Sequence, residues 1–137
     1  FIDWMNPSRN CSLIDVASGT GDIAKLFSLR NKNLSTVTCV EPNEEMFKKG
    51  KNNLAVFKNI KWIKSRAETL PVEDNMYDFY SISYGIRNVS DINMSLKEAF
   101  RVLKPGSYLA VFNSTRSIAH IQVALEKSGF WMFVKNN

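Results

Sequence analysis

The chain has 137 residues, 45% of them hydrophobic, with 18 Lys and Arg against 13 acids for a formal charge of +5. That length suits one domain, 1–137, with enough apolar residues for a core. No apolar run approaches the roughly 18 residues of a membrane span, the start lacks the basic-then-apolar order of a signal peptide, and the basic residues are not interleaved with stacking aromatics. The expectation is a soluble cytoplasmic protein with no nucleic-acid partner, its positive balance leaving room for peripheral contact with an anionic membrane surface.

Ser12 to Ala17 is a short apolar run that ends in glycines, the pattern of a strand buried on both faces that turns directly into a helix. The helix runs from Gly21 to Leu29, and Thr36 to Val40 reads as a second, β-branched strand that ends at Glu41. Asn43 has the chemistry of an N-cap. Glu44 and Glu45 follow in the first turn and Lys48, Lys49 and Lys51 further on, which suits the dipole of a second helix. Ile60 to Lys64 and Tyr77 to Ser83 are the next strands, with Asp74-Asn75 marking a turn. From Asp91, Ile92, Leu96, Ala99, Phe100 and Leu103 share one helix face, and Lys104-Pro105-Gly106 stops the helix. Tyr108 to Phe112 is a fifth strand, Ile118 to Lys127 a last helix ending before Gly129, and Phe130 to Val134 a sixth strand.

This alternation implies an α/β fold: a mainly parallel sheet with helices on both faces, right-handed crossovers, and a ligand site outside the carboxyl ends of the strands. Cys11 and Cys39 adjoin strands and are expected as reduced, buried thiols, while His120, among Ile118, Ile121 and Leu125, is expected to be structural. No metal site is expected.

Gly19-Thr20-Gly21-Asp22-Ile23-Ala24 satisfies the G-x-G-x-x-G/A pattern, in which glycines allow a sharp turn and a helix N-terminus offers free N–H groups. The pattern fits NAD(P), FAD and S-adenosylmethionine (SAM). Glu41, about 20 residues on, is placed to accept both hydroxyls of an adenosine ribose. Asp15 and Asp22 flank the turn, where two carboxylates repel a pyrophosphate and suit a cationic amino-acid moiety. Charge therefore favours SAM, although each acid alone also fits a cap or a turn.

The blocks "LIDVASGTGDIA" (13–24), "VEPNEEMF" (40–47), "AETLPVEDNMYDFYSISYGIRNVSD" (67–91) and "EAFRVLKPGSYLAVF" (98–112) together resemble class I SAM-dependent methyltransferases. The third, with Tyr84 to Asp91 following Leu70-Pro71, resembles more specifically the ubiquinone/menaquinone biosynthesis C-methyltransferase (UbiE) family. The resemblance implies a Rossmann-like class I fold in which Gly19, Thr20 and Gly21 wrap the methionine part of SAM and Glu41 holds the ribose. It further implies that Arg66 and Ala67 flank the adenine, Met46 packs on its ring, and Ser83 lies beside the methionine end; packing of Met46 into the core remains an alternative. Three departures stand out. Arg66 replaces the usual Asn or Asp and cannot accept from the adenine amino group. Glu41 stands where Asp is usual, and Asn113 where Glu is usual. The chain is short for the family: either it is a reduced protein or, as the favoured reading, the numbered sequence lacks terminal and substrate-cover segments, including around 113–117.

The implied reaction moves a methyl from SAM to a ring carbon of a polyprenylated hydroquinone or naphthoquinol, leaving S-adenosylhomocysteine. A guanidinium at Arg87 would stabilise the phenolate that makes the ring carbon nucleophilic, with Asn88 orienting the ring oxygen and no catalytic metal. An Arg87 anchored on Asp91 is the bland alternative. Phe1, Ile2, Trp4, Met5 and Trp131-Met132-Phe133 are candidates for lining an isoprenoid channel, with burial as a strand the alternative for the last three. The expected partners are the quinol and, at the inner membrane face, lipid or a quinone-biosynthesis complex. An O- or N-methyltransferase of another small molecule, a non-catalytic SAM-binding subunit and an NAD(P)-linked reductase stay open as rivals.

Overall fold

The structure, a computed structural model, describes residues 10–83, 85–112 and 131–135, with Arg87, Phe112 and 131–135 described by their backbone alone. The expectations for Phe1, Ile2, Trp4, Met5, Asn113, the helix 118–127 and His120 lie outside the described residues.

Among the described residues there are six strands: β1 Ser12–Val16, β2 Thr36–Val40, β3 Ile60–Ile63, β4 Tyr77–Ser83, β5 Leu103–Phe112 and β6 Trp131–Lys135. The described helices are α1 Asp22–Arg30, α2 Glu44–Asn53 and α3 Ile92–Val102, with a 3-10 turn at Gly85–Asn88. The sheet order is β3-β2-β1-β4-β5-β6 and every pairing is parallel. Order reverses at β1, whose neighbours are β2 and β4, so the carboxyl ends of these three strands frame a crevice.

Side-chain alternation along the strands explains the layering. Ile14 and Val16 point one way with Tyr80, Ile82, Leu109 and Val111, and Leu96, Ala99 and Val102 of α3 close over them. Leu13 points the other way with Val37, Cys39 and Phe79, against Ala24 and Phe27 of α1. Phe27 is fully buried and meets the edge of Phe79 at 5.8 Å, so its burial contributes about 1.5–3 kcal/mol. Both cysteines are buried and free; burial pushes the Cys11 thiol up to about 11 and the Cys39 thiol higher still.

Helix α2 approaches the sheet edge through one indole. Trp62 of β3 meets the ring of Phe47 edge-on at 5.9 Å and fills the space beside two glycines. A Cβ on Gly50 would lie 2.3 Å from the Trp62 ring, and one on Gly21 would lie 2.6 Å from Leu54 and 2.9 Å from Trp62. Asn43 caps α2 by accepting from the Met46 N–H at 3.0 Å, as its chemistry suggested. Asp91 caps α3 in the same way through Met94, also at 3.0 Å.

Several boundaries differ from the sequence expectation, most of all where α3 meets β5. Helix α3 ends at Val102 and the chain enters β5 at once, with Leu103 already paired to Tyr77. The break expected at Lys104-Pro105-Gly106 is instead an interruption of the ladder. β4 advances from Tyr77 to Phe79 while β5 advances from Leu103 to Tyr108, which accommodates a proline without N–H and Gly106 at φ 77°. The sixth strand begins one residue later than expected, at Trp131.

The β3–β4 crossover contains no helix and is held by α3 side chains. Leu70 N–H donates to Glu98 at 2.7 Å, and Arg101 donates to the carbonyls of Leu70 and Val72 and to the carboxylates of Asp74 and Glu98, all at 2.7–2.9 Å. The hydrogen bond from Arg101 holds the Glu98 carboxyl below the ordinary glutamate range despite burial. Among the described residues, no helix is long and apolar enough to cross a membrane.

Candidate functional site

The turn from β1 into α1 is built by alternating left-handed residues: Ala17 at φ 54°, Gly19 at 58° and Gly21 at 86°. For Ala17 this conformation costs about 1 kcal/mol, which its neighbours offset: Ser18 donates from its N–H to the Val40 carbonyl at 3.1 Å and from its hydroxyl to the Asp15 carbonyl at 2.5 Å. Helix α1 has no capping side chain, because its N-cap is Gly21. Asp22 stands exposed in its first turn, where a carboxylate complements the helix dipole.

Glu41, only 5% exposed at the end of β2, is fixed at both oxygens: Oε2 accepts from Gly19 N–H at 2.7 Å and Oε1 from Asn43 N–H at 2.8 Å. A carboxylate has about four acceptor directions, so each oxygen keeps one for a further donor. Asp15 is 1% exposed. Its Oδ1 accepts from the Ser81 hydroxyl at 2.6 Å across the β1–β4 pairing, and its Oδ2 has no hydrogen-bond partner. Burial pushes this carboxyl up to about 7, opposed by the Ser81 hydroxyl and aided by the negative charges of Glu41 and Asp22. The weight of the sequence-level electrostatics therefore shifts. Near neutral pH Asp15 is only partly charged, and Glu41 is the acid that lines the crevice in a fixed orientation.

Two cavities run along these strand ends and share Ala17, Gly19, Met46 and Ser83. One, of about 440 Å³, is also lined by Glu41, Arg66, Ala67, Glu68, Asn88 and Val89. The other, of about 470 Å³, lies over Asp15, Ser18, Thr20, Asp22 and Ile23. Met46 is 49% exposed and faces both; Phe47 and Gly50 make the helix contact with Trp62, so the core alternative for Met46 does not hold. Gly21 lines neither cavity. It is buried against Leu54 and Trp62 and its N–H donates to the Ser18 carbonyl at 2.9 Å, so it shapes the turn from behind. Arg87 lies within the 3-10 turn Gly85–Asn88, and its side chain lies outside the described residues.

The Arg66 side chain is 63% exposed and turns aside to donate to the Ser90 hydroxyl at 2.6 Å. Two residues missed in the sequence support the site. Ser81 pairs with Asp15 through strand register, visible only once the sheet order is known. Glu68 accepts from the N–H groups of Ser90 at 2.6 Å and Asp91 at 3.3 Å. Its carboxyl is held below the ordinary glutamate range: burial opposes ionisation, but its own N–H, those of Ser90 and Asp91, and the charge of Arg66 outweigh it.

The fold belongs with known methyltransferases. It superimposes on a SAM-dependent methyltransferase from Aquifex aeolicus with a TM-score of 0.83 at 22% identity, covering 93% of this chain and 76% of that one. A structure from Bacillus halodurans described as a putative methyltransferase matches with a TM-score of 0.75 at 20% identity, over 93% and 58% of the two chains. The model of the ubiE/COQ5 methyltransferase family matches residues 1–136, and the chain belongs to that family. The ubiquinone/menaquinone biosynthesis C-methyltransferase UbiE of Rickettsia prowazekii is 49% identical over 106 residues, and that of Rickettsia bellii 48%. Each match covers 72% of this chain, which spans 42% of the length of these relatives.

Proposed function

We propose that this chain forms the SAM-binding part of a C-methyltransferase that acts on a polyprenylated hydroquinone or naphthoquinol in ubiquinone or menaquinone biosynthesis. The observation that carries the reading is Glu41, buried and held at both oxygens beside the Gly19 turn, with an acceptor direction left on each. That arrangement suits the vicinal hydroxyls of an adenosine ribose. The unpartnered Asp15 Oδ2 at the other end suits the donor groups of an amino acid. Gly19 leaves the floor open: a Cβ there would find only the Met46 sulfur, at 4.0 Å.

Bound there, SAM would supply an electrophilic methyl on a cationic sulfur. Ser83 and Met46, shared by the two cavities, stand where the two ends of that cofactor would meet. The acceptor carbon becomes nucleophilic when the neighbouring phenol loses its proton, and Arg87 would hold the resulting negative charge while Asn88 orients the ring oxygen. Holding the carbon in line with the S–CH₃ bond is worth up to about 7–11 kcal/mol in favourable cases. The isoprenoid tail implies contact with a membrane surface or a quinone-biosynthesis complex on the cytoplasmic side.

Calorimetry with SAM, S-adenosylhomocysteine and NADH tests the cofactor. Binding of both sulfur ligands and not of NADH is expected, and the converse overturns the reading. Turnover of a short-chain demethylated quinol, lost in Arg87→Ala with SAM affinity retained, is the expected result for the acceptor side; an unchanged rate rejects the role of Arg87.

A further inference from the structure

Helix α3 starts with an unusual division of labour. Asp91, its N-cap, satisfies the Met94 N–H with its own side chain, but position N3 is Met94 itself, which cannot return a hydrogen bond to the Asp91 N–H as a Glu or Gln would. The missing acceptor comes from 23 residues away. Glu68 Oε1 takes the Asp91 N–H at 3.3 Å and the Ser90 N–H at 2.6 Å, while Arg66 closes the ring by donating to the Ser90 hydroxyl at 2.6 Å and standing 3.6 Å from Glu68.

This ring joins two parts of the cleft that share no strand or helix. Arg66, Ala67 and Glu68 line one side of the 440 Å³ cavity, and Asn88 and Val89, at the end of the 3-10 turn, line another. The two partners contribute unequally. The Glu68 side chain is 13% exposed and accepts from main-chain groups, whereas that of Arg66 is 63% exposed, where ion pairs are worth little.

We propose that Glu68 is a positioning residue: by accepting from the Ser90 and Asp91 amides it fixes the Gly85–Asn88 turn against the wall that would flank the adenine, and so sets the acceptor-side geometry of methyl transfer. It acts through the turn, not on the cofactor or the acceptor. This inference rests on the proposed function for its kinetic consequence and on the hydrogen bonds alone for its structural one.

The test compares Glu68→Ala and Glu68→Gln with the wild type by amide hydrogen exchange, calorimetry with SAM, and turnover of a short-chain demethylated quinol. Glu68→Ala is expected to speed exchange at Ser90 and Asp91 by at least about 10-fold and to lower kcat by about 10- to 100-fold, the scale of a small misplacement near the reacting groups. Its SAM affinity should change less than about 3-fold. Glu68→Gln, which keeps a carbonyl acceptor, should restore most of the rate lost in Glu68→Ala. Wild-type exchange at both amides in Glu68→Ala overturns the clamp whatever the turnover. Loss of SAM affinity in parallel with rate overturns the positioning role. A wild-type protein that binds SAM but transfers no methyl overturns the proposed reaction and with it the kinetic role, leaving the exchange result to judge the contact.

Discussion

The two walls of the cleft are made of different materials. The wall formed by β1, the glycine turn and the end of β2 is mostly backbone: left-handed residues at 17, 19 and 21, with the buried carboxylate of Glu41 tying Gly19 to Asn43. The wall formed by the β3–β4 crossover has no regular element and is held to α3 by charged side chains, Glu68 at one end and Glu98 with Arg101 at the other. The first tolerates little change of shape. The second tolerates change of shape but depends on ionised carboxylates.

The largest effect expected is from Glu41→Ala, which removes the proposed ribose acceptor and leaves two amides without their partner. SAM affinity should fall at least about 100-fold and the fold should lose about 2–4 kcal/mol, read by calorimetry and urea unfolding. Retention of affinity would remove the first wall from the cofactor site.

Asp15 comes next. Because its folded carboxyl is raised to about 7, the folded state holds a proton that the unfolded chain releases near 4; stability from this group therefore falls as pH rises between those values and is flat above. Asp15→Asn keeps an acceptor for Ser81, should flatten that slope, and should be more stable than wild type at pH 7.5 by about 1–3 kcal/mol, while SAM affinity drops. Equal slopes in wild type and variant would deny the buried proton.

On the second wall the sign is opposite. The lowered carboxyls of Glu68 and Glu98 contribute stability above the ordinary glutamate range that is lost as pH falls through their folded values. Exchange at Ser90, Asp91 and Leu70 should therefore accelerate as pH falls below the ordinary glutamate range. Unchanged exchange there would deny that ionised carboxylates hold this wall. The smallest effect is expected at Ala17. Ala17→Gly relieves about 1 kcal/mol of backbone strain but adds a similar unfolded-state entropy, so the melting point should barely move, whereas Ala17→Val should lower it.

The first wall was largely legible from the chain itself. Its strands are short apolar runs and its turn is written in two glycines on either side of Thr20, so the turn, Glu41 and the Asn43 cap could be placed from neighbours alone. Even there no local pattern foretells that Leu54 and Trp62, behind the turn, take the space that Gly21 leaves open. The second wall was hidden. Glu68 meets Ser90 across 22 residues and Ser81 meets Asp15 across 66, and no local period encodes such pairings. The resemblance puts Arg66 beside the adenine, but its contact with Ser90 depends on the crossover path.

Trp62 carries a lesson about which substitutions this chain can accept together. A mid-helix glycine such as Gly50 ordinarily gains about 1 kcal/mol on becoming alanine, yet here the new methyl would sit 2.3 Å from the indole. Positions 50 and 62 are thus bound in their history: a smaller ring or aliphatic residue at 62 would have to arrive first, and only then could helix α2 take up the alanine that its own backbone prefers.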